Sequence, residues 1–453
     1  MSGSGKEVLV LGAGMVVRPL VPYLTQHGYR VVVASRTLAK AQHIVEGISG
    51  AKAVECDVDT DEGKAILETL LPSADAVVSL LPYLLHPFLA KRALAHNKHF
   101  FTTSYVSPAM RELDEEAKAK NLVFINECGV DPGTDHMSAM QIIDDVKSKG
   151  GKILSFTSYC GGLPAPDSNN NPLGYKFSWS ARGVLLASTN NAIFLQDGEK
   201  KEIQGKDLFD SFHLDYIPEL SSEFETYPNR NSLQYIDVYG ITTTQTMIRG
   251  TYRNKGWCPT VKKLGADLGF LDLTERNFQG VTYAQALREM INSQAADKEA
   301  LKSDVRAFLK LDASKEFVIS TAEWLGLFEE EPIPAKIKTR LDALCHKMET
   351  KMQYSAGERD MLLMKHTFIA EYPEGKKEKI TCTLIDYGLP NGDSSMARTV
   401  SLPVAISIRL VLEGKFTTPG LQIPIIKELY EPILQELEAL EPSIKFVHHR
   451  EAL

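Results

Sequence analysis

The chain has 453 residues, 43% hydrophobic and 24% charged, the balance of an ordinary soluble globular protein. That composition excludes a disordered chain, a collagen and a small disulfide scaffold, and at roughly 150 residues per domain the length suggests about three domains. The formal net charge of −8 argues against non-specific binding to nucleic acid or to a membrane, and no apolar run is expected to approach the roughly 18 residues that would span a bilayer.

Strand and helix alternate through the first 130 residues or so. The first strand-like run, Glu7–Leu11 (EVLVL), starts so early that no signal or transit peptide is expected ahead of it. Its apolar character suits a parallel strand buried on both faces. Further strands are expected at Arg30–Ala34, Ala51–Asp57, Ala76–Leu81, Phe100–Thr103 and Leu122–Asn126. Helices are expected straight after the glycine turn that ends the first strand, at His86–His96, and at Ser107–Lys120, with Ser107 as N-cap and Pro108 first in the helix. Such alternation means a parallel, doubly wound sheet. Beyond it the pattern changes. Lys152–Cys160 reads as a strand running into a loop-rich segment, Gly161–Tyr175, followed by strand-like pieces up to Arg253. Roughly Val261–Met352 reads as helical. Met361–Ala370 and Ile380–Asp386 look like strands, and Ser394–Glu413 and Tyr430–Leu440 like helices, with His448 and His449 in a tail.

Glycines open the most informative motif. EVLVL runs into Gly12-Ala13-Gly14-Met15-Val16-Val17, where the first glycine permits a tight turn and the second lets backbone N–H groups approach a pyrophosphate at a helix N-terminus. The third glycine of G-x-G-x-x-G is Val17, so the helix is expected further from the strand, and Pro22 is expected to kink it. A lone G-x-G is often only a turn; its place after the first strand of a β–α repeat favours dinucleotide binding. The second strand ends in Ser35-Arg36-Thr37, with no acid to accept from a ribose 2′-OH. A guanidinium flanked by hydroxyls suits a 2′-phosphate, which favours NADP(H) over NAD(H). Asp57-Val58, Leu80-Leu81-Pro82, Thr103-Ser104-Tyr105 and Val130-Asp131-Pro132-Gly133 end the next strands, where open α/β sheets bind ligands. Capping or packing explains each of them singly as well; their shared edge raises the set.

Other chemistry is weaker. The eleven histidines lack metal-ligand spacing, and the acids of Asp131-x-x-x-Asp135-His136 read as caps, so no metal is expected. No two of the six cysteines lie within thirty residues of each other, which predicts free thiols in a reducing, cytoplasmic setting. Cys160-Gly161-Gly162 reads as a glycine bend rather than a nucleophile. Arg230, in the turn Tyr227-Pro228-Asn229-Arg230, and the pair in Arg249-Gly250-Thr251-Tyr252-Arg253 read as surface arginines unless they serve a substrate with several carboxylates.

Four stretches carry a resemblance along essentially the whole chain: Thr102–Leu113 (TTSYVSPAMREL), Ser158–Gly183 (SYCGGLPAPDSNNNPLGYKFSWSARG), Ala322–Phe328 (AEWLGLF) and Gly357–His366 (GERDMLLMKH). With them the chain resembles the fungal saccharopine reductases, that is, saccharopine dehydrogenase (NADP+, L-glutamate-forming). The resemblance implies an α/β fold. A variant Rossmann domain with a parallel sheet, residues 1–133 and 393–453, would bind NADP(H). A mixed α/β substrate and dimerisation domain would span 134–257 and 353–392, and an all-helical inserted domain 258–352. Matched by position, the cofactor contacts fall on Gly12, Ala13, Gly14, Met15, Val16, Ser35, Arg36, Thr37, Asp57, Val58, Leu81, Thr103, Ser104, Val130, Asp131, Pro132 and Ser180. The substrate contacts fall on Ser104, Tyr105, Asp131, Arg230, Thr251, Tyr252 and Arg253. Ala13, Met15, Ser35, Val130 and Tyr252 depart from the residues usual in that family.

The implied reaction condenses the amine of L-glutamate with 2-aminoadipate 6-semialdehyde and reduces the imine with NADPH to saccharopine, in the aminoadipate route to lysine. Arg230 and Arg253 would clamp carboxylates, Asp131 would pair with an ammonium, and Asp131 and Tyr105 are the candidate proton carriers. The partners implied are these small molecules and a second copy in a homodimer. A lysine-forming saccharopine dehydrogenase, carboxynorspermidine dehydrogenase and a catalytically silent NADP sensor are the rivals. Arg36 argues against the NAD-linked one, and turnover separates an enzyme from a sensor.

Overall fold

The computed structural model describes residues 5–453. They form two compact units, one reaching to Lys152 and including Ala370–Leu453, the other Ile153–Ile369.

In the first unit the expected strands form: β1 (Glu7–Leu11), β2 (Arg30–Ser35), β3 (Ala51–Glu55), β4 (Ala76–Ser79), β5 (His99–Thr102) and β6 (Val123–Ile125). The second unit adds β7 (Lys152–Pro164), β8 (Ala192–Gln196), β9 (Glu199–Ile203), β10 (His213–Ile217), β11 (Ser222–Pro228), β12 (Thr246–Arg253) and β13 (Asp360–Glu371). The chain then returns to the first unit with β14 (Lys377–Tyr387), β15 (Gly420–Gln422) and β16 (Val447–Ala452).

Seven parallel strands, ordered β15-β6-β5-β4-β1-β2-β3, make the first sheet. β1 and β4 are buried along their whole length, because helices cover both faces of a parallel sheet. Register brings the strand ends level. Leu11 pairs with Ala34 and Ser79, and Ser79 pairs with Thr102. The residues after these positions therefore form one row at the carboxyl edge, where such sheets bind ligands.

Four local expectations need correction. The helix after the glycine turn starts at Leu20, not beside Gly14, with Pro19 as its N-cap residue. Pro22 thus sits in the first turn, where its missing N–H has no helical partner to lose and forces no kink. β7 does not bend at the glycines but continues through Gly161 and Gly162 to Pro164. There its partner is β12, with Cys160 opposite Thr251, and a Cβ on Gly161 would lie 2.6 Å from the Tyr252 carbonyl oxygen. The glycine permits close strand approach rather than a turn. The supposed tail at His448 is strand β16, antiparallel to β14, with Cys382 opposite His448. Ser107–Lys120 is two helices, Pro108–Arg111 and Asp114–Ala119, because the chain dips to bury Leu113 between them.

One helix also departs from the membrane expectation. Ser395–Leu412 has the length and apolarity to cross a bilayer, but 89% of it is buried within the structure. It is a core helix of the first unit, capped where the Ser394 hydroxyl accepts from the Ala397 N–H at 3.0 Å. It also carries Arg398, whose Nη1 donates to both Asp386 carboxylate oxygens at 3.0 and 3.1 Å while Nη2 donates to the Pro442 carbonyl at 2.6 Å.

In the second unit, β12 lies parallel to β7 and antiparallel to β11, which pairs antiparallel with β10. Helices follow at Tyr283–Ile291, Lys298–Phe308, Phe317–Leu325 and Arg340–Lys351. The first carries a reciprocal Thr282–Gln285 cap, as a helix start readable from sequence should.

Both members of the Arg398–Asp386 pair are 5% exposed, so removing the arginine leaves the buried Asp386 charge without this cation, with the Ser395 hydroxyl still donating to it. Arg398→Ala should lower stability by on the order of 3–5 kcal/mol. Urea unfolding followed by circular dichroism checks this, and an unchanged midpoint would show that the pair contributes nothing.

Candidate active site

At the carboxyl edge of the first sheet the chain is crowded. The Gly12 N–H donates to the Ala34 carbonyl at 2.8 Å, with φ at +117°. A Cβ there would sit 3.1 Å from the Leu80 carbonyl oxygen, so only glycine lets the loop pass so close to the end of β4. Beyond it Gly14 and Met15 are exposed, while Ala13, Val16 and Leu81 are half-buried. Val17 is fully buried, so the third-glycine position packs the core instead of carrying the loop. The result is an open backbone cradle lined by small and apolar groups, with the shape a pyrophosphate and ribose need.

At the end of β2, Ser35 is buried and its hydroxyl accepts from the Thr37 N–H at 3.3 Å. That turn sends Arg36 and Thr37 to the surface. Among the described residues Arg36 has no ionic partner, so its donors are available to a phosphate. After β3 the Asp57 carboxylate accepts from the Asp59 N–H at 3.2 Å, and Val58 is buried.

Sequence reasoning missed the group beneath Ser104. His86 Nδ1 lies 2.9 Å from the Ser79 hydroxyl, and its Nε2 lies 2.9 Å from the Ser104 hydroxyl and 3.0 Å from that of Thr102. Burial, at 2% exposure, depresses its pKa to about 4, so the ring is neutral at physiological pH and joins three hydroxyls. The available signal was Ser79 and Thr102 at paired strand ends with a histidine opening the next helix.

Tyr105 and Asp131, singled out from sequence, do come together: the Tyr105 hydroxyl donates to Asp131 Oδ1 at 3.1 Å. The segment after β6 folds back on itself to make this contact. The Gly129 N–H donates to the Pro132 carbonyl, and the Thr134 N–H returns to Gly129. Gly133, at φ +152°, opens the helix Thr134–Ser148. Asp135 caps locally, accepting from the Gly133 N–H at 2.6 Å.

In the second unit, Ser180 is the N-cap of the helix Ala181–Ala187, its hydroxyl accepting from the Gly183 N–H at 3.1 Å. Arg230 is exposed in a left-handed backbone conformation, φ +56°, just beyond β11. The pair on β12 overturns the surface expectation, since Arg249 is 7% and Arg253 6% exposed. Arg249 Cζ lies 4.3 Å from the centre of the Tyr235 ring. Arg253 Cζ lies 5.0 Å from the Tyr175 ring and 5.2 Å from that of Trp257, two rings themselves 4.8 Å apart. Its Nη1 donates to the Tyr252 carbonyl at 2.9 Å, but its buried Nε has no partner among the described residues. Aromatic faces attract the cation without neutralising it.

Strand alternation separates Tyr252 from its neighbours. Its hydroxyl donates to Asp215, which also takes Lys365 Nζ at 3.0 Å, on the face opposite Thr251 and Arg253.

Residues 8–125 match the family described as saccharopine dehydrogenase NADP binding domain, and residues 129–440 match saccharopine dehydrogenase C-terminal domain. The chain is 42% identical over 442 residues to the saccharopine dehydrogenase (NADP(+), L-glutamate-forming) of Saccharomyces cerevisiae, covering 96% of this chain and 97% of that one. Its counterpart in Schizosaccharomyces pombe is 40% identical over 439 residues, covering 95% and 96%. The mitochondrial alpha-aminoadipic semialdehyde synthase of Bos taurus is 37% identical over 445 residues, which are 96% of this chain and 47% of that protein. Among solved structures, the apo histidine-tagged saccharopine dehydrogenase (L-Glu forming) from Saccharomyces cerevisiae superimposes with a TM-score of 0.88 at 40% identity, covering 98% of this chain and all of the other. Matched by both domain families and by relatives along nearly its full length, the chain belongs to the saccharopine dehydrogenase family.

Proposed function

We propose that the chain uses NADPH to reduce the imine formed between L-glutamate and 2-aminoadipate 6-semialdehyde, giving saccharopine, and runs the reverse oxidation with NADP+, as the aminoadipate route to lysine requires. The observation that carries this reading is the Tyr105–Asp131 contact, an acid pair at the carboxyl edge of a dinucleotide-binding sheet.

The residues present fit the cofactor. The Gly12 cradle leaves backbone room for a pyrophosphate, and Arg36, with no ionic partner among the described residues, suits a 2′-phosphate. In the first unit, Gly12–Val16, Ser35–Thr37, Asp57, Val58, Leu81, Thr103, Ser104 and Val130–Pro132 would hold NADP(H), which supplies the hydride when bound.

The chain's own groups then manage charge and protons. Saccharopine carries three carboxylates and two amino nitrogens. Arg253 is a buried guanidinium with an unused Nε donor, aromatic rings against it and no ion pair among the described residues, an arrangement that a substrate carboxylate would complete. Arg230 and the Thr251 hydroxyl, which leaves β12 on the Arg253 side, serve the same anionic substrate. Tyr252 is committed to Asp215 on the other face and contributes through its backbone. Asp131 accepts a hydrogen bond from the Tyr105 hydroxyl, and its carboxylate is the charge that would meet an ammonium of the substrate. As condensation expels water, Tyr105 donates a proton and Asp131 takes one.

We read the enzyme as a cytoplasmic homodimer that binds neither nucleic acid nor membrane. Six buried cysteines with no disulfide among the described residues support the reducing setting, and the acidic net charge supports the lack of nucleic-acid binding. Sedimentation at micromolar concentration should give twice the mass of the chain.

Saccharopine oxidation assayed separately with NADP+ and NAD+ tests the reaction. NADP+ should be preferred and glutamate released; lysine release or NAD+ preference would overturn the reading. Arg36→Ala should weaken NADPH by about 1.5–3 kcal/mol, the range of a lost charged hydrogen bond, and leave NADH nearly unaffected. Equal weakening of both, by fluorescence titration, would show that Arg36 does not read the 2′-phosphate.

Arg230→Ala should lower kcat/KM for saccharopine roughly thirty-fold or more, with little change in NADPH affinity, because it removes one partner of a charge pair that the bound substrate would shield from water. Arg230→Lys should recover only part of this, since a point charge lacks the bidentate fork. Intact kcat/KM in Arg230→Ala would make Arg230 a surface arginine.

A further inference from the structure

Glu127 stands two residues beyond β6, yet it is 5% exposed and adopts a left-handed backbone conformation at φ +56°. Side chains other than glycine, asparagine and aspartate rarely do so. Its backbone N–H donates to the Ser104 carbonyl at 3.0 Å. Its Oε1 accepts from the Val106 N–H at 2.9 Å. Glu127 therefore grips the chain on either side of Tyr105. Its other oxygen, Oε2, lies 2.8 Å from Nε2 of His136, a fully buried residue in the first turn of the helix Thr134–Ser148. That helix is the far anchor of the folded-back segment that presents Asp131.

We propose that Glu127 is a positioning residue for the reaction: one carboxylate ties the strand-end segment bearing Tyr105 to the helix start behind Asp131 and so sets the contact between them. The inference rests on the proposed reaction. Its chemistry is that of a rigid strut. A carboxylate is acceptor-only and can take a donor on each oxygen, so a single side chain serves both segments. Burial strengthens both hydrogen bonds and makes either one costly to leave unmade. Proton transfer needs heavy atoms within hydrogen-bond reach, so a small change in this spacing falls on the chemical step rather than on binding.

The test combines Glu127→Asp, which keeps the charge but is one methylene too short to span both partners, with Tyr105→Phe in a double-mutant cycle on the full chain. Glu127→Asp should lower kcat for saccharopine oxidation on the order of a hundredfold, the effect of a displacement of about 1 Å at reacting groups. NADPH affinity and saccharopine KM should barely change, and the pH dependence of kcat should shift. In the Tyr105→Phe background the same substitution should cost little more, because the group it positions is already gone. Glu127→Gln keeps an acceptor for Val106 and is read in the same cycle should the shorter side chain prevent folding. Full additivity, an unchanged kcat, or a kcat loss matched by equal loss of NADPH affinity would each overturn the proposal. Wild-type protein that fails to oxidise saccharopine would instead overturn the reaction itself.

Discussion

One steric constraint shapes the candidate site: Gly129 and Gly133 touch backbone to backbone. A Cβ on Gly133 would lie 2.0 Å from the Gly129 carbonyl oxygen, and the φ of +152° excludes ordinary side chains as well. That contact closes a tight loop directly after the sheet. Closing it brings Asp131 back toward Tyr105 and starts the helix Thr134–Ser148 in the same few residues. A longer or looser connection would leave Asp131 on mobile chain. The same principle operates at Gly12, where the end of β4 comes within contact of the glycine loop. In both places the absence of a side chain determines where other side chains can meet.

In the second unit the governing feature is electrostatic. An arginine at 6% exposure, packed against rings and with no ion pair among the described residues, is unfavourable in an isolated chain, since aromatic faces offset only part of the lost hydration and the buried Glu225 opposite it accepts from the Gly256 and Cys258 N–H groups instead. Structural arginines at similar depth behave differently. Arg398 is matched by Asp386, and Arg409 donates to Glu413 at 2.9 Å and also meets Glu436. The contrast supports the role proposed for Arg253 toward an anionic, tricarboxylate substrate.

Much of this was legible in residue order. The apolar runs EVLVL and RVVVA, the glycines after the first and Arg36 after the second placed the sheet and its cofactor edge, because parallel strands bury both faces and expose their ends. Tyr105 and Asp131 were readable as strand-end residues. What stayed hidden depended on neighbours distant in sequence. The strand through Gly161 was invisible because pairing with β12, not local propensity, sets its length. Arg249 and Arg253 read as solvated because nothing adjacent reveals the aromatic rings that fold over them. β15 and β16 are short, and each is defined by a partner strand far away in the chain.

His86 completes the division of labour at the sheet edge. A histidine beside a dinucleotide site is usually read first as a proton carrier. Here burial depresses its pKa to about 4, and both ring nitrogens face hydroxyls. A neutral ring donates through one nitrogen and accepts through the other, so it fixes the direction of the Ser79 and Ser104 hydroxyls without adding charge. An imidazolium in that position would carry two donors and reverse one of those hydroxyls. It would also place a cation beneath a residue expected to meet both cofactor and substrate. Keeping the ring buried therefore leaves the proposed proton transfers to Tyr105 and Asp131, which stand at the half-buried strand ends rather than beneath them. Three hydroxyls and one neutral imidazole thus make a rigid floor beneath the groups proposed to change protonation.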